Sequence, residues 1–398
     1  MGSMITLGIG KLEIDWGKNN FFINHSKIFL PADITNIPYY YADNVIEYKE
    51  GFSRKLVDIK RRLELLGYPL HKLKSHYEAH LTSVPDYYPD IPLTFEEYFK
   101  IISAIDIQKV ELNEEWGNYD PGEFTSKYLF KHPEFNKEFD LSSLVDKDIG
   151  LVFENMDPYI TLRILAENPA NDDYSVQWGY SDVVDGGWAD KDDLIEPLSD
   201  ADKILIVTEG SSDSFIISRA LELLCPDIVD FFYFVDMEEH YPFTGTGNLY
   251  RFCQGLASIR IQNNVLIVYD NDVAGINKYT QTKTLSLPSN MRIARLPDND
   301  SFNSIETLGP NGTTRENING SAVAIECFLD LNYRVNSAPT IRWTSYDSNL
   351  GKYQGELVNK DAYVREFKKI RPTECDYNFD KLNSLVDHLY REWVSEGV

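Results

Sequence analysis

The sequence lacks any hydrophobic run approaching the roughly 20 residues that span a bilayer, so no helical membrane span is expected. Cysteine is scarce. Cys225, Cys253, Cys327 and Cys375 are widely scattered, and no C-x-x-C pair occurs. That argues against a zinc ribbon and against a secreted disulfide framework. No charged-then-apolar signal peptide follows the start, where Met1-Gly2-Ser3 reads as a cloning remnant ahead of Met4. The expected compartment is the cytoplasm. A G-x4-G-K-[ST] phosphate loop is also missing, so any nucleotide-driven gating has to come from another chain. Positive charge is in short supply, with 38 Lys plus Arg against 63 Asp plus Glu and a net charge of −25. Such a surface repels nucleic acid. A chain of this charge that handles DNA or RNA needs local basic patches, bound cations or a basic partner.

What is present is ordinary globular composition over 398 residues, with 43% hydrophobic and 25% charged residues. The length implies two or three domains. Apolar residues from Ile5 to Ile14 predict a strand that pairs as a hairpin with Phe21-Phe22-Ile23. Tyr39-Tyr40-Tyr41 lies in a β-like segment. From Phe52 the spacing of Leu56, Ile59, Leu63 and Leu66 predicts a helix stopped by Gly67. Pro85–Pro92 reads as a loop, Thr94-Phe95-Glu96-Glu97 as a capping box, and Asp157-Pro158 as a helix start. Residues 168–200, rich in Asp, Asn, Gly and Pro, read as a linker or a meander of short strands.

From residue 201 short apolar runs alternate with helical patterns: Ile204–Val207, Ser214–Leu224, Phe231–Val235, Asn248–Ile259, Val265–Tyr269, Val273–Leu285 and Met291–Ala294. This is the rhythm of a parallel sheet. The last hundred residues read as mostly helical, ending in an amphipathic helix around Leu382, Leu385, Val386 and Leu389.

Acidic residues follow two of the buried strands. Glu209 and Asp213 come after Ile204–Val207, and Asp270 and Asp272 after Val265–Tyr269. In an open α/β sheet the crevice beyond the strand carboxyl ends is the ligand site. Carboxylates gathered there suit a hard cation with oxygen ligands, and the cation suits phosphate chemistry. Taken singly, Asp213 or Asp272 is a helix cap and Glu209 a loop acid. The joint order is much more specific.

Residues 201–298, about a quarter of the chain, resemble a Toprim domain, the fold shared by topoisomerases, bacterial primases and several nucleases. Glu209 matches its first-strand glutamate, Asp270-Asn271-Asp272 its D-x-D, and Asp213 an extra acid of the nuclease and primase branches. Gly245-Thr246-Gly247-Asn248 falls at its glycine turn. The N-terminal segments Ile5–Ile14, Asp15-Trp16-Gly17-Lys18-Asn19, Tyr39-Tyr40-Tyr41 and Gly51-Phe52-Ser53-Arg54 resemble the N-terminal domain of bacterial HEPN/Toprim-associated proteins, implicated in phage defence. Leu308–Gly312 and Asn319–Ala322 with Ile325-Glu326 resemble the region C-terminal to Toprim in the same proteins. None of the seven histidines has an Arg five residues before it, so HEPN ribonuclease chemistry, which uses R-x4-H, is not assigned.

The resemblance implies an α/β architecture: a Rossmann-like, mainly parallel Toprim domain at 201–298, an α+β N-terminal interaction domain at 4–140, a connecting segment at 141–200, and a mostly helical extension at 299–398. It implies a Mg²⁺- or Mn²⁺-dependent endonuclease acting on DNA or RNA in an antiviral defence system. Glu209, Asp270 and Asp272 would be catalytic and metal-binding. Asp213 and, by the same resemblance, Glu326 would serve a second metal. The rival readings are a non-cutting scaffold and a nucleotidyl transferase. Expected partners are nucleic acid and either further copies of the chain or another protein, possibly an ATPase. Lys60-Arg61-Arg62 with His71–Lys74, and Arg365–Arg371, are candidate phosphate contacts, weighed against plain solvated helix faces. His76 and His80, four apart, are a candidate metal pair that lacks an evident third ligand.

Overall fold

A computed structural model describes residues 2–10, 12–41, 45–83, 93–110, 129, 152–235, 245–310, 312–335, 337–348, 350–371 and 376–396. The Pro85–Pro92 loop and Cys375 lie outside them. The chain is mixed α/β with several sheets, and it divides into two compact units, Met1–Pro197 and Leu198–Val398. Among the described residues no helix is long and apolar enough to cross a membrane.

The first unit is built on an antiparallel sheet of β1 (Met4–Ile9), β2 (Leu12–Lys18), β3 (Ile34–Tyr41), β4 (Val45–Lys55) and β5 (Ser175–Gly179), in the order β2-β1-β5-β4-β3. Strict alternation in β1 turns Ile5, Leu7 and Ile9 into the core. The expected single strand from Ile5 to Ile14 is in fact a hairpin. Ile9 pairs with Leu12, and Gly10 supplies φ +59° between them. Phe21 makes only an isolated bridge to Lys18. α1 (Leu56–Leu65) buries Leu56, Ile59 and Leu63 and stops where Gly67 takes φ +101°. It starts at Leu56 rather than Phe52, because Phe52 to Lys55 finish β4. After α2 (Leu73–Ser83) comes α3 (Phe95–Ser103), whose capping box forms as read: Glu97 N–H donates to Thr94 Oγ1 at 3.3 Å, and Thr94 N–H donates to Glu97 Oε2 at 2.8 Å. α4 (Pro158–Leu165) is capped by Asp157, which accepts from Tyr159 N–H at 2.9 Å.

The expected connecting segment at 141–200 is corrected by the sheet order. β5 is its central strand, paired with β1 on one side and β4 on the other. Trp178 on β5 is 1% exposed and stacks on Phe52 at 5.8 Å. In the first basic stretch His71, Lys72 and Lys74 are exposed, with Lys74 paired to Glu96, whereas its helical part is engaged within the fold. Arg62 is buried and donates from Nε and Nη2 to the Lys27 carbonyl, at 3.1 and 2.8 Å, while Lys60 pairs with Glu167. His76 and His80 are not a metal pair. Their Nε2 atoms bond the Gly67 and Val152 carbonyls, at 2.9 and 3.3 Å.

In the second unit β6 (Ile204–Val207), β7 (Phe232–Phe234), β8 (Asn264–Tyr269) and β10 (Met291–Arg295) form a wholly parallel sheet in the order β10-β8-β6-β7. Helices α7 (Ser211–Leu224), α8 (Thr246–Ser258) and α9 (Val273–Lys283) connect its strands, after the short α5 (Ser181–Asp185) and α6 (Lys191–Leu194) of the first unit. β6 and β8 are buried almost throughout, as central parallel strands are.

The expectation of a mostly helical end is corrected as well. β11 (Ile305–Gly309), β12 (Gly312–Glu316), β14 (Thr340–Asp347) and β15 (Lys352–Leu357) make a sheet in the order β12-β11-β14-β15. A two-residue strand β13 (Ala322–Val323) pairs with β9 (Asn271–Asp272). α10 (Lys360–Phe367) and α11 (Asp380–Val394) come last, and α11 buries Leu382, Leu385, Val386 and Leu389 as its spacing predicts. In the second basic stretch Lys369 pairs with Glu366 and Lys368 lies over the Phe215 ring.

Candidate functional site

β6 and β8 lie side by side and run the same way, so the residues that follow them emerge at one edge of the sheet. After β6, buried Thr208 hydrogen-bonds Ser214 Oγ at 2.9 Å and the Gly210 carbonyl at 3.0 Å, which fixes the turn carrying Glu209. Asp213, the third residue of α7, accepts at Oδ2 from the N–H of the N-cap Gly210 at 3.0 Å. After β8, Asp270 N–H reaches Glu209 Oε1 at 3.4 Å. Asp272 caps α9, accepting from Gly275 N–H at 2.7 Å. Gly275 is required here by contact: a Cβ on it would stand 2.2 Å from the Asp270 carbonyl oxygen. The cap reading therefore holds for Asp272, whereas Asp213 lies within the first turn of α7 and reaches back to its N-cap, and both residues still interact with the other acids.

Glu326 does not lie on a helix surface. It sits in a 3₁₀ turn, Ile325–Phe328, is 3% exposed, and accepts from Ser212 Oγ at 3.2 Å, with Lys360 Nζ at 3.8 Å. The pairing of β13 with β9 brings this segment to the D-x-D, with Ala322 opposite Asp272. All five acids read from the sequence, Glu209, Asp213, Asp270, Asp272 and Glu326, are thus in one electrostatic neighbourhood.

Burial is the main influence on them. It pushes Glu209 up to about 7, with the Thr246 hydrogen bond opposing and Asp272 reinforcing. It pushes Asp213 up to about 7, helped by repulsion from Glu326 and Glu209. Asp270 is raised well above the carboxylate range by burial and by Asp213, Glu209, Asp272 and Glu326. Asp272 is raised by burial against hydrogen bonds from Gly275, Gln354 and Ala274. As the side chains stand, no three His, Cys, Asp or Glu among the described residues already enclose a metal-sized space.

Four residues of the site were not assigned a role from the sequence, although Thr246 and Asn271 lie in segments it singled out. Thr246 Oγ1 donates to Glu209 Oε2 at 2.8 Å. Gln354 Nε2 donates to Asp272 Oδ2, while its Oε1 accepts from Ala274 N–H at 3.2 Å. Lys360 is the third. Asn271, the middle of the D-x-D, is fully buried and bonds Asp298 and Arg295 at 2.7 and 2.8 Å, locking the turn between the two aspartates. Beside Thr246 opens a cleft of about 460 Å³ lined by Tyr250, Arg251, Gln254 and Lys278.

These shifts fix a pH dependence. Glu209 and Asp213 hold protons more tightly folded than unfolded, so their contribution is present below the ordinary carboxylate range and lost as pH rises through about 7. The metal-free protein should lose stability between about pH 5 and pH 8. Glu209→Gln should flatten that fall and add about 1–3 kcal/mol at the upper end. Urea midpoints in chelator at the two pH values check this, and a Glu209→Gln profile as steep as wild type would contradict it.

A family model described as HEPN/Toprim N-terminal domain 1 matches residues 1–202, half of the chain. No curated protein and no solved structure matches the sequence.

Proposed function

The chain belongs to the HEPN/Toprim N-terminal domain 1 family, and on that premise we propose that its second unit is a Toprim-type nuclease, dependent on Mg²⁺ or Mn²⁺, that hydrolyses nucleic-acid phosphodiesters. The observation that carries this reading is the convergence of five acids at the carboxyl end of a parallel sheet, four of them with raised proton affinity. Buried carboxylates that repel one another are relieved by a proton or by a cation. The donor set is all oxygen and strongly negative, with Lys360 as the cation placed against Glu326. That chemistry fits a hard divalent ion, once side-chain rotations turn the oxygens inward. Glu209, Asp270 and Asp272 would hold the first ion, and Asp213 and Glu326 a second. The bound ion neutralises phosphate charge and makes water a better nucleophile.

The chain's own groups do the rest. Thr246 and Gln354 fix the carboxylates of Glu209 and Asp272. Glu209, ionised once a cation offsets its neighbours' charge, would be the group that takes the proton of the attacking water. The water oxygen bonds to phosphorus as the bond to the leaving sugar oxygen breaks, and that oxygen takes up a proton from solvent to leave as a hydroxyl. Arg251 and Lys278 in the adjoining cleft are placed to meet the phosphate on the flanking nucleotide. Arg251→Ala and Lys278→Ala should each raise KM about five- to tenfold with kcat little changed, and lower the salt dependence of binding by about one ion. Unchanged salt slopes would remove the cleft from the substrate path.

Family membership supports a nuclease-associated, defence-type role. The acidic surface and the missing phosphate loop support work in an assembly, with further copies or with an ATP-hydrolysing partner. The test is cleavage by the purified chain of plasmid DNA, single-stranded DNA and tRNA, with Mg²⁺ or Mn²⁺ and with chelator. Metal-dependent scission of any one supports the reading. Metal binding with no scission, alone or in assembly, would favour a scaffold.

A further inference from the structure

The β14–β15 hairpin carries a row of aromatic rings that the proposed chemistry does not use. Tyr346 pairs with Tyr353 and Trp343 with Gly355, so all three rings share one face. Trp343 and Tyr346 are three residues apart and would point opposite ways in a regular strand. The register shift between Trp343 and Ser345 brings them to the same side. Ring centroids are 6.1 Å apart for Trp343–Tyr353 and 4.9 Å for Tyr346–Tyr353. Tyr346 is 56% and Tyr353 46% exposed, an unusual expense of aromatic surface.

The hairpin that carries the row abuts the segment that carries the acids. At its inner end a Cβ on Gly355 would stand 2.8 Å from both Trp343 Cε3 and Ala322 Cβ, and Ala322 is the strand partner of Asp272. Gln354, whose side chain leaves β15 on the face opposite Tyr353, bonds Asp272 itself and holds the hairpin beside the centre.

We infer that Trp343, Tyr353 and Tyr346 form a stacking surface for unpaired bases, and that the substrate of the neighbouring centre is a single-stranded stretch of nucleic acid. The inference rests on the nuclease reading of that centre and names its substrate class. The charge of the chain selects this occupant. In a protein of net charge −25 phosphate contacts are confined to local basic groups such as Arg251 and Lys278, so affinity has to come from elsewhere as well. Stacking is indifferent to that charge and accepts any base, because every base has a π-face. A duplex keeps its bases stacked on each other and cannot use such a surface.

Binding is measured by fluorescence anisotropy in chelator, where nothing is cut, with labelled oligothymidylate, oligouridylate and a blunt DNA duplex. The full-length protein should prefer the single strands to the duplex by about tenfold or more. Tyr346→Ala and Tyr353→Ala should each weaken single-strand binding about five- to a hundredfold. Tyr353→Phe should restore it, since the ring and not the hydroxyl is used. Equal affinity for duplex and single strand, or wild-type binding by both alanine variants, overturns the inference. So does loss of a self-assembled or partner-bound species in the alanine variants with oligonucleotide affinity intact, because the rings would then be a protein interface. Ring-dependent binding without metal-dependent cleavage would sink the nuclease reading alone. Cleavage that ignores the rings would sink this inference alone.

Discussion

Asp270→Asn should abolish metal-dependent cleavage, by about a hundred- to thousandfold or more, while leaving the fold intact. Asp270 directly follows the most buried strand of the parallel sheet, and four other acids act on its carboxyl. The amide keeps the shape and removes the charge. A cation then loses a ligand, and the metal-free protein loses a source of repulsion. Stability in chelator should hold or rise as activity disappears. That pairing separates a site residue from a packing residue, whose replacement lowers both. Gly275→Ala provides the contrast, because its new Cβ drives against the Asp270 carbonyl and should reduce stability and cleavage together. Cleavage by Asp270→Asn at the wild-type rate would remove the residue from the centre.

Trp178→Ala should cost the first unit about 3–5 kcal/mol, the loss typical of a large aromatic cut from a well-packed core. Trp178 sits on the central strand β5, against Phe52, Tyr180 and His25, each with ring centroids 5.8 Å away. Urea unfolding of the full-length protein, followed by near-ultraviolet circular dichroism, reads the effect. A change below about 1 kcal/mol would mean that β5 does not complete this sheet. For the same reason, chains ending near residue 140 should fail as a folded N-terminal module, because they lack β5.

β6 and β8 were legible because they are short apolar runs buried on both faces, and the acids after them because their joint order, Glu after one strand and D-x-D after the other, is more specific than any single helix cap. β5 was hidden by its surroundings. Five residues between Asp-rich and Gly-rich segments look like a linker until β1 and β4 pair with them. The C-terminal strands were missed for a different reason. β12 is exposed at every position and β14 at half of them, so they show no regular inward–outward alternation, and their Thr, Arg and Tyr side chains carry no period. The contacts of Thr246, Gln354 and Lys360 with the acids could not be read, although Thr246 lies in the glycine turn that the sequence marks. Gln354 lies 82 residues from Asp272, and Thr246 lies 37 from Glu209. Only the tertiary fold makes them neighbours. Glu326 was named through resemblance, but the helix expected to carry it is a 3₁₀ turn that faces inward.

The most direct test of the acid centre is a calorimetric titration of Mn²⁺ into the metal-free protein near pH 6.5, about where Glu209 and Asp213 are partly protonated, repeated in two buffers of different ionisation enthalpy. Binding should be saturable and should release on the order of one proton per ion, because carboxyls protonated without metal must ionise to ligate it. Asp270→Asn should abolish or strongly weaken that binding. Absence of binding at millimolar Mn²⁺, or binding with no proton release that Asp270→Asn leaves unchanged, would contradict a metal centre at these five acids.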